Sequence, residues 1–125
     1  RLVDEPAAFA QRHDGVHVSR LAEQVQALVA EGHAPLLLDV REPWEIATAS
    51  LSLPGAQRLD IPMQQIPGRL AEIDPQRPVL ALCHHGMRSL QVALFLERQG
   101  YPCMYNITGG IDAWSRQVDP TVPLY

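Results

Sequence analysis

Seven consecutive residues carry most of the chemistry this sequence could perform: Cys83, His84, His85, Gly86, Met87, Arg88 and Ser89. They bring together a nucleophile, two imidazoles, a conformationally free glycine and a permanent cation. The reactive form of cysteine is the thiolate, which nearby N–H groups and positive charge favour. A short turn entering a helix aims several backbone N–H groups at one point, and the aligned peptide dipoles add partial positive charge there. Gly86 can take a backbone angle that other residues resist, and Arg88 supplies fixed charge at the rim. The pattern predicts an activated nucleophile suited to covalent group transfer. The competing reading is a cysteine that only packs, the ordinary role of a lone buried thiol. A strand end followed by Gly, Arg and Ser weighs against it.

That placement depends on the flanking elements. Val79-Leu80-Ala81-Leu82-Cys83 is apolar without alternation, as in a strand covered on both faces of a parallel sheet. After Ser89, residues 90–99 favour helix and stop at Gly100. Cys83 is therefore expected at the carboxyl edge of a sheet, where open α/β folds bind ligands.

The rest of the chain repeats the alternation. Residues 16–18 read as a short strand. Ser19 is expected to cap a helix carrying Leu21, Val25, Leu28 and Val29 on one face, closed by Gly32. Residues 35–40 form a second apolar strand ending in Asp39, a candidate cap for the turn or for a short helix near Pro43. Arg41 and Glu45 are expected to form an ion pair bracing this corner, and Trp44 to pack. Residues 57–61 are a weaker strand. Ile66, Leu70 and Ile73 form a helical stripe ended by Asp74-Pro75. Residues 103–107 read as the last strand, with Cys103 buried and inert. Gly109-Gly110 leads to a helix anchored by Trp114, and prolines make residues 119–125 an extended tail. Strands alternating with helices predict an α/β domain with a mostly parallel sheet and helices on both faces.

Cys83-His84-His85-Gly86-Met87-Arg88-Ser89 resembles the active-site loop of the rhodanese (sulfurtransferase) family in its single-domain bacterial form. Three further stretches agree in order: Leu38-Asp39-Val40-Arg41-Glu42 with Glu45, Leu53-Pro54-Gly55-Ala56 with Ile61-Pro62, and Gly109-Gly110-Ile111-Asp112-Ala113-Trp114. Four ordered motifs are far more specific than one. Many members have Gly-His-Ile before Pro-Gly-Ala, where this chain has Leu51-Ser52-Leu53, so no role is assigned to that histidine. The resemblance implies a rhodanese-like, doubly wound five-stranded sheet over residues 16–125, with residues 1–15 as an N-terminal extension. It implies that Cys83 takes a sulfur from thiosulfate or another persulfide donor and passes it to cyanide or a thiol. The amides from His84 to Ser89 would hold the anionic sulfur, Asp39 would lie beneath the loop and help hold it, and Arg41 would be a further loop support. His84 and His85 could offer pH-dependent donors at the loop mouth, or serve only as exposed loop residues, the favoured reading. As metal ligands they are not expected, because adjacent side chains in a tight turn diverge and no third ligand is near in sequence.

Two other classes compete. Cysteine phosphatases of related fold place five residues between cysteine and arginine, whereas four intervene here, a cradle sized for one sulfur atom. A non-catalytic or sulfur-carrier module is the other alternative, and the presence of Cys83 removes the main support for an inactive one. The chain has 125 residues, 46% hydrophobic and 19% charged, enough for one domain with a real core. A net charge of −4 and the lack of a basic run argue against a nucleic-acid partner. No apolar stretch approaches the roughly 20 residues of a membrane span. Two cysteines make no disulfide framework and fit a reduced, cytoplasmic setting. The expected partners are a small-molecule sulfur donor and a thiol or cyanide acceptor, with a protein as a further acceptor. No cofactor is expected, and the chain is expected to be a monomer.

Overall fold

The computed structural model describes residues 15–125. The N-terminal extension lies outside them except for Gly15. Five strands, β1 (Val16–His17), β2 (Leu36–Asp39), β3 (Gln57–Asp60), β4 (Val79–Leu82) and β5 (Met104–Thr108), form one sheet in the order β1-β5-β4-β2-β3. Every pairing is parallel. The connections carry α1 (Leu21–Ala30), α2 (Pro43–Thr48) and α3 (Met87–Arg98), and α4 (Gly110–Gln117) follows β5.

The alternation of strand side chains sorts the core into two clusters, one on each face. Leu37, Leu80, Leu82 and Ile107 meet Leu21 and Val25 of α1 and Ile111 and Trp114 of α4. Leu36, Leu38, Val79 and Met104 meet Val92, Ala93 and Leu96 of α3 with Ile66 and Ile73. Burial on both faces explains why β2 and β4 are apolar at nearly every position. The order puts β4 in the centre of the sheet, so the residues after Leu82 emerge in the middle of its carboxyl edge. Both flanking strands, β2 and β5, deliver their own ends to the same place.

Several local expectations are corrected. The strand at 16–18 gives way at Val18 to a 3₁₀ turn, Val18–Arg20. Ser19 caps nothing: its backbone N–H donates to His17 Nδ1 at 3.1 Å, and α1 starts behind Arg20 without a side-chain cap. The stripe of Ile66, Leu70 and Ile73 lies on a 3₁₀ segment, Pro67–Glu72, kinked at Arg69, because Pro67 and Gly68 interrupt regular helix here. Cys103 precedes β5 and is half-buried, not buried. Residues 119–122 close a turn from Val122 N–H to the Asp119 carbonyl, so the tail is bent rather than extended. No helix among the described residues is long and apolar enough to cross a membrane.

Candidate active site

The central strand ends at Leu82, and α3 begins four residues after Cys83, with Gly86 as the residue that turns the chain. Gly86 has φ of +102°, a conformation open to glycine at little cost. That turn folds the loop back over the thiol. The Gly86 and Ser89 N–H groups donate to Cys83 Sγ at 3.0 and 3.3 Å. Cys83 is 1% exposed, so these contacts are made in a dry surround, where a hydrogen bond is stronger than in water.

The neighbouring strand fixes the loop from below. Asn106, a polar residue inside β5, donates from Nδ2 to the Gly86 carbonyl at 3.1 Å. Its Oδ1 then faces Ser89, whose hydroxyl donates to it at 2.5 Å. With its proton so committed, Ser89 Oγ presents a lone pair to Cys83 Sγ, 3.3 Å away. The N-terminus of α4 grips the loop from the other side. Ile111 and Asp112 N–H groups donate to the carbonyls of Cys83 and His84, both at 3.0 Å. Gly110 is required at this approach: its φ is +62°, and a Cβ would collide with both carbonyl groups.

The charged residues are arranged differently from the expectation. Arg41 and Glu45 do not form a carboxylate ion pair. Arg41, fully buried, is held by Asp39 through Nε at 2.9 Å and Nη2 at 2.7 Å, and only its Nη1 reaches the Glu45 backbone carbonyl, at 3.2 Å. One residue separates Asp39 from Arg41, so the side chains meet at the strand end before the chain reaches α2. Asp39 also takes Arg58 of β3 at 2.5 Å. Neither Asp39 nor Arg41 bonds the cysteine loop directly; Arg41 reaches the Glu45 carbonyl and the Tyr125 hydroxyl.

The Glu45 carboxylate faces Arg88 instead, in a bidentate pair of 2.7 and 2.9 Å. It also accepts from Glu42 N–H and from the Tyr125 hydroxyl. These donors, Arg88 above all, hold the Glu45 carboxyl down at about 2, against the opposing effect of burial. The Arg88 guanidinium is raised in turn by the same carboxylate. Arg88 stands at the loop, as expected, but its charge is matched by Glu45.

Tyr125 is the residue sequence reasoning missed. Its hydroxyl accepts from Arg41 Nη1 at 3.1 Å and donates to Glu45 at 2.7 Å. Its ring stacks flat on His84, with centroids 3.9 Å apart and planes within 6°. Burial moves the phenol up to about 12. His84 is therefore half-buried rather than exposed, and burial lowers its imidazole, with His85 adding to the effect. His85 is exposed as expected. Trp44 does not pack into the core: it is 64% exposed and meets Tyr125 edge-on at 5.9 Å. Met87, 67% exposed, stands at the outer rim of the loop. A separate cleft of about 410 Å³, walled by Pro43, Ile46, Pro62 and Arg69 among others, opens at the ends of β2 and β3 and includes no residue of the cysteine loop.

A cysteine at the end of the central parallel strand, cradled by the amides of the following turn, stands at the edge of a doubly wound sheet where such folds bind ligands. Residues 21–117 match the rhodanese-like domain family, and the chain belongs to that family. It is 40% identical over 101 residues to a protein of Allochromatium vinosum named sulfurtransferase, a match covering 81% of this chain and 91% of that protein. It is 41% identical over 114 residues to the chloroplastic rhodanese-like/PpiC domain-containing protein 12 of Arabidopsis thaliana. That match covers 88% of this chain but 36% of the plant protein, so the chain spans about a third of that relative's length. A rhodanese-related protein from Thermoplasma volcanium superposes with a TM-score of 0.69 at 25% identity, covering 89% of this chain and 98% of that one. The human single-domain sulfurtransferase TSTD1 gives 0.60 at 25% identity, covering 82% and 96%.

Proposed function

We propose that the chain is a sulfurtransferase working through a Cys83 persulfide. The observation that carries this reading is the position of Cys83 Sγ, buried at the strand end and met by the Gly86 and Ser89 amides. In the first half-reaction the Cys83 thiolate attacks the outer sulfur of thiosulfate or a comparable persulfide donor. An S–S bond to Cys83 forms, the donor's S–S bond breaks, and sulfite or the donor thiolate leaves with the electron pair. In the second, a thiolate or cyanide attacks the outer sulfur and Cys83 thiolate is released. No net proton or electron is consumed when both partners are anions. The enzyme splits one transfer into two displacements at the same sulfur, and fixed N–H groups stabilise the anion at each stage without reorganising.

The arrangement disfavours phosphoryl chemistry on two counts. Four residues separate Cys83 from Arg88, a short arc for a tetrahedral group. Arg88 has both terminal nitrogens on Glu45, so the bidentate grip on an oxyanion that such chemistry uses is already occupied.

Steady-state kinetics with thiosulfate and cyanide test the reading. A ping-pong pattern that Cys83→Ser abolishes is expected. Intersecting double-reciprocal lines, or activity retained by Cys83→Ser, would overturn it.

A further inference from the structure

His84, His85 and Asp112 meet beside the cysteine loop in a way their sequence positions do not suggest. Neither objection to the two histidines as ligands survives the fold. Their rings do not diverge: the centroids lie 4.0 Å apart. A third donor arrives from the first turn of α4, because the Asp112 amide is tied to the His84 carbonyl at 3.0 Å. One ring nitrogen from each histidine and one Asp112 oxygen lie within 4.8 Å of one another.

Their present partners leave the donors underused. His84 Nε2 is buried and has no hydrogen-bond partner among the described residues, and a buried polar atom without one calls for an occupant. His85 Nδ1 stands 3.9 Å from Asp112 Oδ2, beyond hydrogen-bond reach. Asp112 is bound to Arg116, one turn on in the same helix, at 3.0 Å. The Arg116 side chain is 60% exposed, so this pair resembles the surface pairs that contribute little.

We infer that His84, His85 and Asp112 form a binding site for a divalent first-row transition ion of the zinc type. Two imidazoles and a carboxylate suit such an ion rather than magnesium or calcium. Bonds of about 2.0–2.1 Å place tetrahedral ligand atoms about 3.3 Å apart. The cluster must therefore contract, and His85, whose side chain is 63% exposed, is free to swing inward. His84 is already oriented by the flat Tyr125 ring stacked on it. Nε2 is its buried nitrogen without a hydrogen-bond partner among the described residues. Three protein ligands leave a coordination position open to an exchangeable group. Arg116 competes with the ion for Asp112.

The test uses the full chain carrying Cys83→Ser and Cys103→Ser, so that thiolates cannot bind the metal and the result does not depend on sulfur transfer. Zn²⁺ affinity is read by competition with a chromophoric chelator, and Co²⁺ coordination by its visible spectrum. One equivalent of Zn²⁺ is expected, with His85→Ala and Asp112→Asn each weakening it about tenfold or more. Arg116→Gln, which frees the carboxylate, is expected to tighten it. His85 is exposed and its removal leaves the fold intact, so a loss there reports the ligand itself. Absence of stoichiometric binding, or binding that His85→Ala and Asp112→Asn leave unchanged, would overturn the assignment.

Discussion

Glu45 is the residue on which the charged half of the site turns, and Glu45→Gln isolates its contribution. The glutamine side chain is the neutral isostere of the protonated acid, so the substitution approximates the loss of the carboxylate's charge alone. In the folded chain that carboxyl stands at about 2, from an ordinary 4.5. At about 1.4 kcal/mol per pKa unit, the ionised form contributes about 3 kcal/mol to stability at neutral pH. The carboxylate is 3% exposed, so solvent screening reduces this little on its side. Arg88, about a third exposed, can turn to water when its partner goes, which keeps the loss near the low end for a broken buried pair. For a domain of this size the loss lowers Tm by about 10 °C.

The sign with pH follows from the depressed folded value. The contribution is complete above 4.5 and disappears as pH falls through about 2. The difference between wild type and Glu45→Gln should therefore shrink from about 3 kcal/mol at pH 7 to about 1 kcal/mol at pH 3. Thermal or urea unfolding of both proteins at the two pH values measures it. A difference that is small at pH 7, or the same at both, would refute the reasoning.

Other expectations concern the elements that hold the loop. Gly110→Ala, which drives a Cβ into the Cys83 and His84 carbonyls, should lower stability by about 1–3 kcal/mol and reduce sulfur transfer, read from urea midpoints and initial rates. Asn106→Ala leaves the Gly86 carbonyl without its side-chain donor and should lower stability by about 1–3 kcal/mol by the same melts. Tyr125→Phe keeps the ring on His84 but removes the bonds to Arg41 and Glu45. Because the folded phenol stands near 12, above its ordinary 10, wild-type stability should fall as pH rises from 10 towards 12, and Tyr125→Phe should show a shallower slope in alkaline melts, the remainder coming from Tyr101, whose phenol burial also raises. Cys103→Ser should keep sulfur-transfer activity in the same rate assay, since Cys103 lies before β5 and outside the loop.

The sheet was legible because burial on both faces leaves an unmistakable mark. The apolar runs at 36–38 and 79–82 could serve few structures other than central parallel strands, and Gly86 between Cys83 and Arg88 announced the turn. Ion-pair partners were not legible. Arg41 and Glu45, four residues apart, invited pairing, but the strand end placed Asp39 beside Arg41 and the fold brought Arg88 to Glu45 across 43 residues. Tyr125 carried no local signal at all, since its role depends on where the chain passes after α4. Asn106 did carry one: an amide inside a buried strand must find partners. The same long-range docking explains Asp112, whose approach to His84 is fixed by the α4 amides rather than by sequence distance.

The most direct test of sulfur transfer through Cys83 is the intact mass of the protein after incubation with thiosulfate and removal of excess donor. One added sulfur atom is predicted, mapped to the Cys83 peptide, released by cyanide, and absent from Cys83→Ser. An unchanged mass with thiosulfate and with every persulfide donor tried, or an added sulfur on Cys103 alone, would contradict it.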